Sequence, residues 1–122
     1  MILVDTSVWI DFLRGKPAAL ELRRPLEQGE VLSHAFVIGE LALGNLGARR
    51  SDVLSDLRLL PAAPLLENAE VHEMVDAHRL AGRGIGWVDA HLLASARVAG
   101  AALWTLDRGL EAAATRLGVS HR

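Results

Sequence analysis

The sequence predicts an α/β fold of three layers, in which helices cover both faces of a central, mostly parallel sheet of four to five short strands. Two observations carry that expectation. Short apolar runs such as ILVD, EVLSH and AALWTLD alternate with helix-length segments along the chain. Strands that are apolar throughout and separated by helices are the pattern of a parallel sheet buried on both sides. The composition agrees: 51% hydrophobic residues in 122 supply a core for one domain of ordinary size, so 1–122 reads as a single domain.

Taken in order, Ile2–Asp5 reads as a short buried strand. Thr6 or Ser7 can cap a helix carrying Val8, Trp9, Phe12 and Leu13, which Gly15 and Pro17 end. Residues 17–28 form a second helical stretch, closed by Gly29, and EVLSH is the second strand. A helix follows over 35–46, ended by Gly47, and another over 51–60, stopped by Pro61 and Pro64. APLLE offers a third strand. Asn68 or Ala69 opens a helix to about residue 81, GRGIG is a loop, and residues 87–99 are helical up to Gly100. AALWTLD is the fourth strand, residues 108–117 a helix, and GVSH offers a fifth strand.

Charge and composition narrow the function. Thirteen Lys and Arg against fifteen Asp and Glu give a net charge of -2, which argues against gripping nucleic acid by bulk positive charge. It leaves room for a local cleft that holds cations. The absence of cysteine excludes disulfides, thiolate zinc sites and cysteine nucleophiles. The apolar start is cut by Asp5 and Asp11, a poor signal peptide, and LLASARVAGAALWTL is interrupted by Arg97, a poor membrane span. A cytoplasmic protein with no membrane association is expected.

Four acids stand out. In open parallel sheets, sites form beyond the carboxyl ends of the strands. Asp5 and Asp107 each end an apolar run. Glu40 shares a helical stripe with Phe36 and Leu43, and Asp89 shares one with Ile85, Leu92, Leu93 and Ala96. Carboxylates on apolar stripes are costly to bury unpaired, so both are expected near the start of their helices, facing the sheet. All four then lie at one edge. Their mutual repulsion is relieved by hard divalent cations, Mg²⁺ or Mn²⁺, which prefer oxygen ligands. One or two such ions can activate water and clamp a phosphodiester.

At these residues the chain resembles a known family. VDTSVWIDFLRG is similar to the opening of PIN-domain ribonucleases of the VapC toxin type, the E of FVIGELALG matches the second acid of that family, and DAHLLASARVAGAALWTLD resembles its last block. The resemblance implies a PIN-like fold and Mg²⁺- or Mn²⁺-dependent endoribonuclease activity. It also implies a homodimer and inhibition by a cognate VapB-like antitoxin. Carried over, Asp5, Glu40, Asp89 and Asp107 form the catalytic quartet, with Asp5 and Asp89 the most direct metal ligands. Thr6 or Ser7, and Thr105, would support them through hydroxyl hydrogen bonds. The family often has an aromatic three residues after the last acid; Leu110 stands there.

Arg14 and Lys16 follow the first helix, where they could flank the cleft and hold RNA phosphates. Arg49 or Arg50 could instead pair with Glu40. Arg23–Arg24 and Arg79/Arg83 read as solvated faces. The histidines lack metal-ligand spacing, and Trp9 and Trp104 read as core; Trp87, beside Asp89 and a glycine loop that lacks the spacing of a nucleotide cradle, could touch substrate, with packing the safer reading. Apolar stripes at Leu20, Leu22 and Leu26 and at Val53, Leu54, Leu57 and Leu60 could serve a dimer or an antitoxin helix. A non-catalytic binding subunit on the same fold is one rival. An aspartyl phosphotransfer domain is another, but it wants a second acid where Ser7 stands and a placed lysine, and Lys16 is the chain's only one.

Overall fold

The computed structural model describes residues 1–121. Its sheet is built from the apolar runs: β1 (Ile2–Val4) lies in the centre, with β2 (Val31–Leu32) and β3 (Ala102–Trp104) on either side, all parallel. Ile2 stands opposite both Val31 and Ala102. Leu3, Val4 and Leu103 are fully buried, as strands covered on both faces require. Helices α1 (Thr6–Leu13), α2 (Arg23–Glu27), α3 (Ala35–Leu43), α4 (Arg50–Leu59), α5 (Asn68–Ala77), α6 (Trp87–Ala99) and α7 (Arg108–Arg116) complete the three-layer α/β/α fold. No helix among the described residues is long and apolar enough to cross a membrane.

The strand count is lower than the sequence predicts. The expected third strand, residues 63–67, is absent, with a single parallel bridge, Ser33 with Ala62, just before it; the expected fifth shrinks to one parallel bridge, Leu103 with Ser120. Pro61 and Pro64 lack the N–H that a ladder needs, so only Pro61 O and Ala63 N bond to Ser33. The two bridges still extend the sheet in the expected parallel sense.

Element ends differ where local chemistry intervenes. The 17–28 stretch is a 3-10 turn (Pro17–Leu22) followed by short α2. Helix α3 stops at Leu43, and a further 3-10 turn (Gly47–Arg49) leads into α4. Helix α5 stops at Ala77, before Arg79 takes a left-handed conformation with φ +53°.

Leu92 and Leu93 of α6 and Leu110 of α7 are fully buried with Leu3 and Leu103. Burial of each such side chain contributes about 2 kcal/mol. One polar unit lies among them. His34 caps α3: its Nδ1 accepts from Phe36 N at 3.0 Å, so its proton sits on Nε2, 3.1 Å from Ser95 Oγ. Ser95 in turn donates to Pro64 O at 2.6 Å. Burial, with a smaller contribution from His91, lowers the His34 pKa to about 4, so the ring is neutral. The relay fastens the start of α3 and the proline-rich segment to α6.

Candidate active site

Parallel pairing sets the ends of β1 and β3 side by side. Asp5 N donates to Trp104 O at 2.9 Å, so the two chain segments that leave the sheet carry Asp5, Thr105 and Asp107 at one edge. Asp5 is 7% exposed and its carboxylate is richly bonded. Oδ1 accepts from Thr6 N at 2.8 Å; Oδ2 accepts from Ser7 Oγ at 2.9 Å and from Thr105 Oγ1 at 2.7 Å. Ser7 Oγ also accepts from Leu106 N at 3.1 Å, and Thr105 Oγ1 accepts from Asp107 N at 3.0 Å. All three hydroxyls singled out from the sequence therefore serve the acids, since Thr6 Oγ1 donates to Glu40 Oε1 at 2.6 Å. Oδ2 has both lone pairs engaged, and Oδ1 keeps one free to meet a cation.

The cap of α1 corrects the sequence reading. Asp5 itself is the capping residue; Thr6 and Ser7 lie inside the helix and spend their hydroxyls on Glu40 and Asp5. An aspartate following an extended strand is already placed to bond the first helical N–H, so it takes the position one residue earlier than the hydroxyls.

Glu40 also departs from expectation. It sits in the last turn of α3, not near its start, and it is exposed. The buried stripe of α3 is Val37 and Leu41, whereas Leu43 is 92% exposed. The helix is apolar on nearly every side, and the capping bond at His34 fixes which side turns inward. Nor do the neighbouring arginines pair with Glu40. Arg49 donates to Leu13 O at 2.8 Å and Arg50 to Ala42 O at 3.0 and 3.2 Å.

Asp89 lies in the first turn of α6 and accepts from Gly86 N at 3.0 Å. Asp107 caps α7 and accepts from Leu110 N at 2.9 Å. The glycine loop joins them. A side chain on Gly109, in the first turn of α7, would lie 3.3 Å from both Asp107 Oδ1 and Gly84 O, so α7 starts in close contact with the loop that leads to Asp89. This strut was legible only as a turn in the sequence; the signal was a glycine three residues before a first-turn acid. The Asp89 carboxyl is held above its ordinary pKa, first by burial and then by the charges of Asp5, Asp107 and Glu40, against which the Gly86 N–H acts. Asp5, Asp107 and Glu40 thus all lie near enough to bear on Asp89.

Among the described residues, no basic side chain forms an ion pair with any of the four. The only ion pair among the described residues joins the exposed Lys16 to Asp11 at 3.6 Å. Arg14 is exposed and lines a small hollow with Glu40 and Arg49. As the side chains stand, no three His, Asp or Glu among the described residues form a ready-made coordination set. The donor set is all oxygen and short of positive charge, which fits a hard divalent cation and not a thiolate- or imidazole-seeking one.

Comparison with known proteins agrees with this geometry. A family model described as the PIN domain matches residues 2–115. The chain is also 49% identical over 122 residues to "Ribonuclease VapC32" of Mycobacterium tuberculosis, in strains CDC 1551 / Oshkosh and ATCC 25618 / H37Rv. Each match covers 98% of this chain and 95% of the relative.

Proposed function

The chain belongs to the PIN-domain family, and we propose that it is a ribonuclease of the VapC type, the toxin of a toxin–antitoxin pair. In this reading residues 1–122 act as one PIN domain that hydrolyses RNA phosphodiester bonds at the four-acid edge, as a homodimer silenced by a VapB-like antitoxin. Support comes above all from one observation: acids from three other segments bear on Asp89, and none of the four has a basic partner in an ion pair among the described residues.

Asp5, through its spare Oδ1 lone pair, and Asp89 would hold Mg²⁺ or Mn²⁺, with Glu40 and Asp107 beside them. When bound, such an ion lowers the pKa of a coordinated water and offsets charge on the phosphate. The residues do the rest. Thr105 and Ser7 fix Asp5 Oδ2, so Oδ1 cannot swing away. Thr6 occupies Glu40 Oε1, which leaves Oε2 to orient or deprotonate the attacking water. Asp89 must release any proton it carries before it binds a cation, so ion binding weakens as the pH falls.

The test is cleavage of RNA by the purified protein, by Asp5→Asn and by Asp89→Asn, each in Mg²⁺ and in EDTA. Activity is expected only for the parent in Mg²⁺. Full cleavage by either variant, or in EDTA, overturns the metal reading, and an inert parent favours a non-catalytic binding subunit.

A further inference from the structure

Gly86 has two neighbours. On one side its N–H binds Asp89; on the other it lines a cavity of about 240 Å³ between α5 and α6, together with His72, Leu80, Ile85 and Trp87. The wall of the acid site is therefore also the wall of this cavity. Trp87 stands at its mouth and is 41% exposed, unusual for so large an apolar side chain. Its indole is not loose. His91 meets it edge-on at 4.9 Å and 87°, and His91 is itself buried, bonded to Asn68 Oδ1 at 3.1 Å and set edge-on to Phe36 at 4.9 Å. Exposed His72 tilts over the indole at 4.6 Å and 36°. Buried His91 and exposed His72 thus brace a tryptophan that stays partly open to solvent.

The remaining rim suits a polyanion. Leu80, Ala81 and Gly82 line the cavity, and the exposed Arg79 and Arg83 flank this stretch in the chain, neither of them ion-paired among the described residues. Arg83 is fastened by its Nε to Arg79 O at 2.9 Å. Gly82 and Gly84, both in left-handed conformations, put no side chains in the way of an approaching strand. A braced aromatic, flanking guanidinium groups and a bare backbone are the components by which proteins take unstacked bases of single-stranded nucleic acid.

We propose that the Trp87 cavity receives one unstacked nucleobase of the RNA strand, stacked on the indole, and so sets which phosphodiester reaches the acids on the other side of Gly86. The proposal rests on the ribonuclease reading above. Trp87 contacts substrate in it, and His72 positions the indole.

Binding is measured by fluorescence anisotropy with a 5′-fluorescein-labelled single-stranded RNA of about 12 nucleotides. The Asp5→Asn protein serves as a cleavage-deficient parent. Adding Trp87→Ala is expected to weaken binding about 5- to 100-fold, and Trp87→Phe, which keeps a ring, to recover most of the loss. Trp87→Leu, with apolar bulk but no π face, should behave like the alanine variant and replaces it if that variant does not fold by circular dichroism. A single abasic nucleotide is then stepped along the RNA. At one position it should weaken binding to the parent yet add nothing to the Trp87→Ala or Trp87→Leu loss. Equal affinity of Trp87→Leu and parent, or abasic losses identical in both proteins at every position, overturns the proposal. If the unsubstituted protein cleaves no RNA and the parent binds none, the ribonuclease reading fails and the proposal fails with it.

Discussion

Replacing Thr105 by valine tests whether hydroxyls, not cations, hold the acid site together. The two side chains are nearly the same shape, so the change deletes an oxygen without opening a cavity. That oxygen is 2.7 Å from Asp5 Oδ2, as donor to a carboxylate, and 3.0 Å from Asp107 N, as acceptor. A hydrogen bond to a charged group contributes about 1.5–3 kcal/mol, and its loss here leaves an N–H unpaired as well. Thr105 is 6% exposed, so water replaces these bonds poorly. The expected loss is about 2 kcal/mol, which lowers the melting temperature by roughly 8 °C for a chain of this size. Thr105→Ser keeps the oxygen and should recover most of it. Ligand-supporting bonds of this kind typically change metal affinity or activity by about 10- to 100-fold. Thermal unfolding without metal reads the first effect, and Mg²⁺ titration of RNA cleavage reads the second. A Thr105→Val protein that melts within about 2 °C of the parent and cleaves at the same Mg²⁺ concentration would refute the reasoning.

Three further outcomes follow from the same contacts. The folded chain keeps His34 neutral down to about pH 4, whereas the unfolded chain takes up its proton near 6.5. Stability from this group is therefore full above pH 6.5 and falls by about 3 kcal/mol as the pH drops to 4, which urea unfolding across that range will show as a loss greater than in His34→Asn. Asp89→Asn removes a charge that burial and three acids disfavour but keeps an oxygen for Gly86 N, so it should raise the melting temperature of the metal-free protein while abolishing cleavage. Added Mg²⁺ should stabilise the parent, by about 2.7 kcal/mol at a hundred times its Kd, and not this variant. Glu40→Gln keeps the acceptor for Thr6, so circular dichroism and melting should be unchanged while kcat falls about 100-fold, as expected for loss of a general base.

The sequence was most legible where its signals agreed. Helix α6 runs over Trp87–Ala99 as predicted, because glycines bound both ends and the apolar stripe between them is clear. Asp5 was placed at a strand end by a simple change from apolar to acidic residues, and parallel pairing sets that end beside the end of β3; Asp107, expected to end the fourth strand, lies three residues beyond β3 as the cap of α7. Legibility failed where several faces looked alike. AFVIGELALG is apolar all round, so periodicity could not tell that Val37 and Leu41 turn inward and Leu43 outward. Two long-range features settle it, the His34–Ser95 bond across 61 positions and the Thr6–Glu40 bond across 34, and neither leaves a local pattern. The outer strands failed for another reason: Pro61 and Pro64 leave a single bridge at Ala62, and on the other side Ser120 alone bridges to Leu103.

How the fold tolerates four acids without basic partners follows from where their oxygens point. Asp5 bonds the first N–H of α1, Asp107 bonds Leu110 N in the first turn of α7, and Asp89 bonds the N–H at the entry to α6. Each of these three carboxylates sits at a helix amino terminus, where unsatisfied N–H groups carry partial positive charge. The fold thus stabilises three like charges with backbone it already needs to cap. Glu40 has no such support. It lies in the last turn of α3, where the helix field opposes negative charge, and one hydroxyl from Thr6 is its recorded bond. Three acids are therefore held by backbone N–H groups and one by a single hydroxyl. That division suits a site in which the backbone-held carboxylates would hold a cation while Glu40 would take the proton from water. It also predicts that Thr6→Val perturbs Glu40 alone, lowering kcat with little change in the Mg²⁺ requirement, the reverse of Thr105→Val.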